Sequence, residues 1–527
     1  MLLANYLASH VCPNSPSDFH WRLNYHCPPA ALLSQPSHSS TSHQFRPAVS
    51  IRRALIFSFI DRTANILISI VSSMIVARLL TPAEIGVFSV VMVLMSFLAT
   101  WRDFGAGQYL VQEQDLTPER IRAVWTVQLC IGVALAFAAL AASRPVAHFY
   151  NEPRMQGIMV LIALSYFINP FGSLTYAWLM RSMRFEALTV MRSSAALCGA
   201  TVSVICAWRG LGAISLAWGN LASVIANACV SFLFRPRDFP FLPGRHEIGR
   251  VLSFGTRITS TSLIEAAAKG APELILGKLQ SMTAVGLFSR ANGLVGLLTG
   301  LMSDTVGSVA MPMFAQQKRD GGDLGAAFLR VCAYMSVIAW SFALFLGLMA
   351  DPLIRVLYGQ QWVDAVPIAR WLAVAMVLAA PAALSVQVLL GVGASHRLPR
   401  AMLVSAAATI TGVAVGSPFG GVGVAIGMCG GAMVATINWL RVVREVLGFN
   451  WSALLSALMR SAMVSGCTGV SLLLTVGIFG WAPARSLPVL VAGTAAGAVS
   501  FVVASMVAKH PIANEIRRVL DRLRPAG

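Results

Sequence analysis

Three stretches of this chain set ionisable and amide side chains at helical spacing within otherwise apolar sequence. In the first, Ser58, Asp61, Asn65, Ser69 and Ser72 recur at steps of three and four, with Arg62 beside them. A helix collects such positions on one face. In the second, Arg257, Thr261, Glu265 and Lys269 step by four and are followed by Pro272 and Glu273. The third holds Arg290, Asn292, Thr299, Ser303 and Asp304. A charge at bilayer depth costs about 2.5–3.5 kcal/mol on insertion scales, so charges kept there face a cavity or a partner. Arg62, Asn65, Arg257, Lys269 and Arg290 are therefore candidates to line a substrate cavity, the cations drawing in an anionic group. Asp61, Glu265 and Glu273 are candidates to couple movement to protons or sodium. Plainer roles are open to the same residues. Glu265 and Lys269 can neutralise each other at i,i+4. Arg290 and Arg192 lie close to span ends and can snorkel to the surface, and Arg78 and Lys278 suit interface anchors.

No catalytic residue is assigned. His is sparse within the apolar runs, and the Gly-Lys-Ser/Thr ending of a phosphate-binding loop is absent. Nine cysteines include no CxxC pair, and all but Cys12 and Cys27 lie singly in apolar runs, where Cys behaves as a small hydrophobe. Cys12, His20, His26 and Cys27 lack zinc-finger spacing. Neither a metal nor a cofactor is expected.

The elements that must hold these side chains are membrane helices. Of 527 residues, 57% are hydrophobic and only 11% charged, with a mean hydropathy of +0.71; a soluble domain carries about 25% charged residues. The net charge of +18 lies mostly between apolar runs rather than in a stripe with interleaved aromatics, so nucleic-acid binding is not expected. Runs long enough to span occur near 54–77, 84–101, 123–142, 156–179, 187–208, 211–234, 251–277, 283–309, 326–349, 365–390, 401–417, 421–440, 455–479 and 487–508. Backbone groups must pair internally in hydrocarbon, and runs this long are not barrel strands, so an all-α protein of about fourteen spans is expected. Trp101, Trp125, Trp208, Trp362 and Trp481 near span ends suit an aromatic belt. Residues 1–50, polar and Pro-rich without a cleavage pattern, read as a disordered tail rather than a signal peptide. No Met occurs between Met1 and Met74, so a non-AUG start near Val49 is an open alternative.

Alternate connections differ in Lys and Arg content by roughly three to one, which predicts an even number of spans with both termini in the cytoplasm. The chain also repeats itself. Arg78, Leu79, Gly86, Phe88 and Ser89 recur as Lys278, Leu279, Gly286, Phe288 and Ser289, two hundred residues on. Pro145 and Tyr150 are echoed by Pro352 and Tyr358. Six spans separate the copies, so the halves are parallel repeats, as in transporters that rock two lobes about a midplane site. The expected organisation is an N-lobe at 51–234, a connector at 235–250 acting as hinge, a C-lobe at 251–440, two added spans at 441–508 and a basic cytoplasmic tail at 509–527.

The run Ala77-Arg78-Leu79-Leu80-Thr81-Pro82-Ala83-Glu84-Ile85-Gly86-Val87-Phe88-Ser89, followed by Asp103-Phe104-Gly105-Ala106-Gly107, resembles the start of Wzx-type polysaccharide flippases, and Leu357-Tyr358-Gly359-Gln360-Gln361-Trp362 resembles a second signature of that family. The resemblance runs from about Ile51 to the end of the chain. It implies membership of the multidrug/oligosaccharidyl-lipid/polysaccharide exporter superfamily, with two six-helix lobes and two extra helices. It also implies transport of undecaprenyl-pyrophosphate-linked oligosaccharide across the bacterial inner membrane for exopolysaccharide or lipopolysaccharide synthesis. A cationic cavity would receive the headgroup, with Arg62, Arg257 and Lys269 at matching depth. A polysaccharide polymerase and glycosyltransferases are the expected partners. Two other readings stand beside it: a drug or cation exporter of the same superfamily, which prefers acidic cavities, and a membrane glycan polymerase or ligase.

Overall fold

The computed structural model describes residues 51–102, 110, 117–236, 239, 244, 248–480 and 486–523. The tail at 1–50, Asp103–Gly107, Trp481 and most of the 235–250 connector lie outside the described residues, as do the side chains of Ser58, Arg257, Thr261, Ser303 and Asp304.

Helices α1 (Ile51–Leu79), α2 (Pro82–Arg102), α3 (Pro118–Phe149), α4 (Arg154–Ile168), α5 (Pro170–Arg181), α6 (Phe185–Trp208) and α7 (Ile214–Phe234) make the first lobe. Helices α8 (Ile248–Leu279), α9 (Met282–Arg319), α10 (Leu324–Leu357), α11 (Val366–Ala379), α12 (Ser385–Gly391), α13 (Leu398–Gly416) and α14 (Gly420–Leu447) make the second. Then come α15 (Trp451–Phe479), α16 (Ser486–Val507) and α17 (Ile512–Leu523).

By length and apolarity, ten stretches of the described residues can cross a membrane, or eleven with α4 and α5 taken as one span bent by 50° at Pro170. The unbroken 156–179 span of the sequence reading is thus a kinked pair, because Pro170 donates no N–H to the helix. One of the ten stretches, Ser395–Leu447, is α13 and α14 folded back on each other. A Cβ at Gly412 or Gly427 would lie 2.2 or 1.9 Å from the other's carbonyl oxygen, which is the close backbone approach that small residues permit in membranes. The long helices α8 and α9, of 32 and 38 residues, are not among those stretches, and with them the path completes fourteen crossings. The tenth span is also broken, a 3-10 turn at Ala380–Ala382 parting α11 from α12.

Contacts between turns group them into two ends, two of these contacts running between the lobes. At one end, Arg78 donates to Val356 O (2.7 Å), Lys278 to Phe149 O (2.6 Å) and Gln280 to Ser417 O (2.9 Å), joining the turns after α1, α3, α8, α10 and α13. At the other end, Arg181 reaches Leu110 O (3.0 Å), Lys318 reaches Val392 O (2.6 Å) and Arg397 pairs with Glu445. The repeated turns form for local reasons. Thr81 and Glu84 make a reciprocal capping box at the start of α2, with Pro82 at its first position, and Ser281 caps α9.

The lobes meet where α2 crosses α9, backbone on backbone. A Cβ on Gly86 would sit 1.8 Å from Met282 O, and one on Gly286 would sit 1.9 Å from Pro82 O. One turn on, Ser89 and Ser289 share a hydrogen bond of 2.9 Å. The two-hundred-residue repeat is therefore a pseudo-two-fold axis on which equivalent residues touch. The added α15 docks on α10 through serines: Ser461 donates to Ala333 O (3.1 Å), and Ser465 bonds Ser341 (3.0 Å).

Candidate substrate cavity

The polar face of α1 lines a shared space with its own lobe. It opens into a cavity of about 550 Å³ walled by α2, α6 and α7 of its own lobe. Asn65, Ser69, Ser72 and Ser73 come from α1, Ser89 from α2, Ser203 from α6, and Asn220 and Ser223 from α7. Ser289 and Arg290 enter from α9 across the lobe boundary. Among the described residues no carboxylate lines it.

Arg290 is held rather than snorkelled, which corrects the plainer reading of that residue. Its guanidinium lies 5.6 Å from the Tyr358 ring centroid and 5.8 Å from that of Trp362, and it donates to Ser73 Oγ at 2.7 Å. Its Nε is buried without a partner. The aromatic faces stabilise the cation and fix its plane. Trp362 also departs from its expected belt position: it is fully buried, and its Nε1 donates to Ala77 O at 2.8 Å. Trp125 is buried as well, edge-on to Phe171, whereas Trp208 is exposed as a belt residue should be.

The other sequence candidates separate into distinct settings. Asp61 is buried and receives Asn65 Nδ2 at 2.8 Å, while Arg192 from α6 lies 3.2 Å away. Arg192 is thus a partner for a buried carboxylate as well as a long side chain near the surface. Arg62 is half-buried on the same helix. Glu265 and Lys269 form an exposed i,i+4 pair at 2.6 Å. Glu273 is buried and accepts from Ser89 Oγ at 3.1 Å. Ser73 stands two hundred residues before Glu273 and Val90 stands the same distance before Arg290, so the axis is symmetric in backbone and asymmetric in charge. Arg78 and Lys278, read as surface anchors, instead donate to carbonyls at the C-terminal ends of α10 and α3 in the opposite lobe. Cations are stabilised there by the helix dipole, and the reciprocal pair fastens the lobes together.

Sequence reasoning missed the α6 and α7 wall. A signal was present: Gly199 and Ser203, and Gly219 and Ser223, are small-xxx-small pairs of the kind that bring helices close. A Cβ at Gly199 would meet Ser223 Cβ at 2.8 Å, and one at Gly219 would meet Ser203 Oγ at 1.7 Å. A second cavity of about 350 Å³, in the C-lobe, is walled mainly by Val295, Met335, Leu372, Met376 and neighbouring alanines and is largely apolar.

Two lobes of six spans on a pseudo-two-fold axis, with a polar cavity closed at one end, define the architecture of a two-lobed membrane transporter. Residues 75–367 match the model of a family described as polysaccharide biosynthesis protein, and the chain belongs to that family. It is 24% identical over 496 residues to the succinoglycan biosynthesis transport protein ExoT of Rhizobium meliloti (strain 1021), covering 90% of this chain and 96% of the relative. It is 20% identical to the lipopolysaccharide biosynthesis protein WzxC of Escherichia coli (strain K12), over 58% of this chain and 63% of the relative. Among solved structures, the lipid II flippase MurJ in an inward closed conformation has the same fold, with a TM-score of 0.69 at 12% identity, covering 87% of this chain and 99% of that one.

Proposed function

We propose that this protein flips undecaprenyl-pyrophosphate-linked oligosaccharide repeat units across the bacterial inner membrane, for exopolysaccharide or lipopolysaccharide synthesis, by alternating access of its two lobes. The observation that carries the reading is the cavity: a hydroxyl- and amide-lined space with one held guanidinium, inside a chain otherwise built for lipid. A polar wall and a cation suit a glycan on an anionic headgroup. The likeness to ExoT across nearly the full chain supports the polysaccharide setting. The lobes are fastened at the Arg78 end, and the opposite end gathers Arg181, Arg184, Lys318, Arg319, Arg397, Arg400, Arg441 and Arg444. The positive-inside rule makes that basic end cytoplasmic, with both termini, so the conformation is closed toward the periplasm. The drug or cation exporter reading fits less well, because the described cavity wall offers a cation and no carboxylate.

Deletion of the gene, followed by extraction of lipid-linked glycans, tests the proposal. Complete repeat units should accumulate on the cytoplasmic leaflet and clear on complementation. Absence of that accumulation, together with a purified protein that polymerises or ligates glycan, would replace transport with enzymatic chemistry.

A further inference from the structure

The last span passes into α17 through a fixed joint. Lys509 adopts the left-handed region, at φ 47°; its N–H returns to Met506 O (3.3 Å) and that of His510 to Ser505 O (3.1 Å). Those two bonds close α16 as a Schellman turn. His510 then starts α17: its Nδ1 accepts from Ile512 N–H at 3.2 Å, and its carbonyl accepts from Ala513 N–H at 2.8 Å. The buried imidazole also meets Ser461 Oγ of α15 at 3.2 Å and lies edge-on to Tyr334 of α10, whose hydroxyl donates to Pro511 O at 3.4 Å. Contacts from α10, α15 and α16 thus set the direction in which α17 leaves the bundle.

The joint also sets the depth of α17. Val507, at the end of α16, is an apolar side chain 77% exposed, and Lys509, two residues on, is exposed as well. On α15 the exposed Arg460 stands next to Ser461, the partner of His510. Exposed cations where apolar spans end mark the headgroup level, so α17 begins at the membrane surface. Ile512 and Ala513 are buried, and Ile516 packs against the C-lobe core. Asn514, Arg517 and Arg518 are exposed. Helical spacing sets positions 520 and 523 on the face of Ile512 and Ile516, and position 522 on that of Arg518. Residues 509–527 carry five basic residues against two acidic ones, which selects an anionic surface over a neutral one.

We infer that α17 is a phospholipid-binding element, its first turn pinned to the C-lobe and its later turns laid along the bilayer surface with the arginines on anionic headgroups. A basic helix with one apolar face binds such a surface by apolar burial and charge together. A guanidinium fork suits a headgroup phosphate. Through His510, the grip of α17 on the leaflet is tied to α10 and to the peripheral helices α15 and α16. The inference is independent of what the central cavity carries.

Amide hydrogen exchange of the purified full-length protein, one copy per nanodisc, tests this in phosphatidylcholine alone and in an equimolar mixture with phosphatidylglycerol. The amides of 514–523 should exchange about tenfold more slowly in the anionic mixture, and high salt should shrink the difference. Arg517→Gln, Arg518→Gln and Arg522→Gln combined should abolish the difference between the two lipids. The amides of 461–465 on α15 should stay as protected as in the wild type, which shows that the joint and the fold persist. Equal exchange of 514–523 in the two lipids overturns the proposal. Protection that requires two copies per nanodisc, whatever the lipid, also overturns it and makes the helix a contact between copies of this chain. The flippase reading stands under either result.

Discussion

Arg290 shows how much a single side chain's surroundings decide. Its planar guanidinium rests on two rings and donates to a serine, a fit that a lysine ammonium cannot reproduce. Arg290→Lys should therefore keep protein levels but lower export about tenfold in a complemented deletion strain; full complementation would reduce the site to a point charge. Lys269→Ala addresses an exposed pair worth at most about 1 kcal/mol. Its thermal unfolding should match the wild type, while a cavity-lining role predicts that export is lost. His510 offers a pH test outside the spans. Burial and then the nearby Arg460 guanidinium push its imidazole down to about 4. Its Nδ1 accepts from Ile512 N–H, and its Nε2 meets Ser461 Oγ at 3.2 Å. The unfolded imidazole titrates near 6.5, so the unfolded chain binds more protons between about 4 and 6.5. Stability is complete above pH 6.5 and falls as pH drops toward 4. The melting temperature of His510→Gln should show a smaller fall over that window.

At the scale of elements, the crossing of α2 and α9 sets the lobe contact. Either Gly86→Ala or Gly286→Ala would drive a methyl into a backbone carbonyl, at 1.8 or 1.9 Å, which no rotamer relieves. Each should shift the protein toward the conformation open at the Arg78 end, and so should the pair Arg78→Gln with Lys278→Gln. A bias of one to two kcal/mol changes populations about 5- to 30-fold. An Ile85→Cys reporter, buried in the closed form, should label correspondingly faster with a membrane-impermeant thiol reagent. Unchanged labelling would mean that the crossing does not gate this end. The motif around Thr81 was legible in the sequence as a family mark and as one copy of a repeat. Its role as interlobe contact was not, because a repeat shows that two segments are alike and not that they touch, and the partner helix lies two hundred residues away.

For the whole molecule, orientation is the coarsest claim and the easiest to test. A cysteine replacing exposed Arg209, after α6, should react with impermeant reagent in intact cells, and one replacing exposed Asp320, after α9, only after permeabilisation. The reverse pattern would invert the direction of transport.

Composition, span length and loop charge were enough to establish a helical membrane protein of about fourteen crossings, because hydrocarbon penalises unpaired backbone and charge at every residue independently. The repeat was likewise visible, since it is a statement about sequence. Which polar faces meet was decided only by the tertiary structure. The stripe on α1 turned out to face α6 and α7 within its own lobe, Glu265 and Lys269 paired on one helix, and Arg290 crossed to the other lobe's cavity. Helix periodicity fixes which residues share a face, but the azimuth of that face depends on packing against glycines and serines elsewhere in the chain.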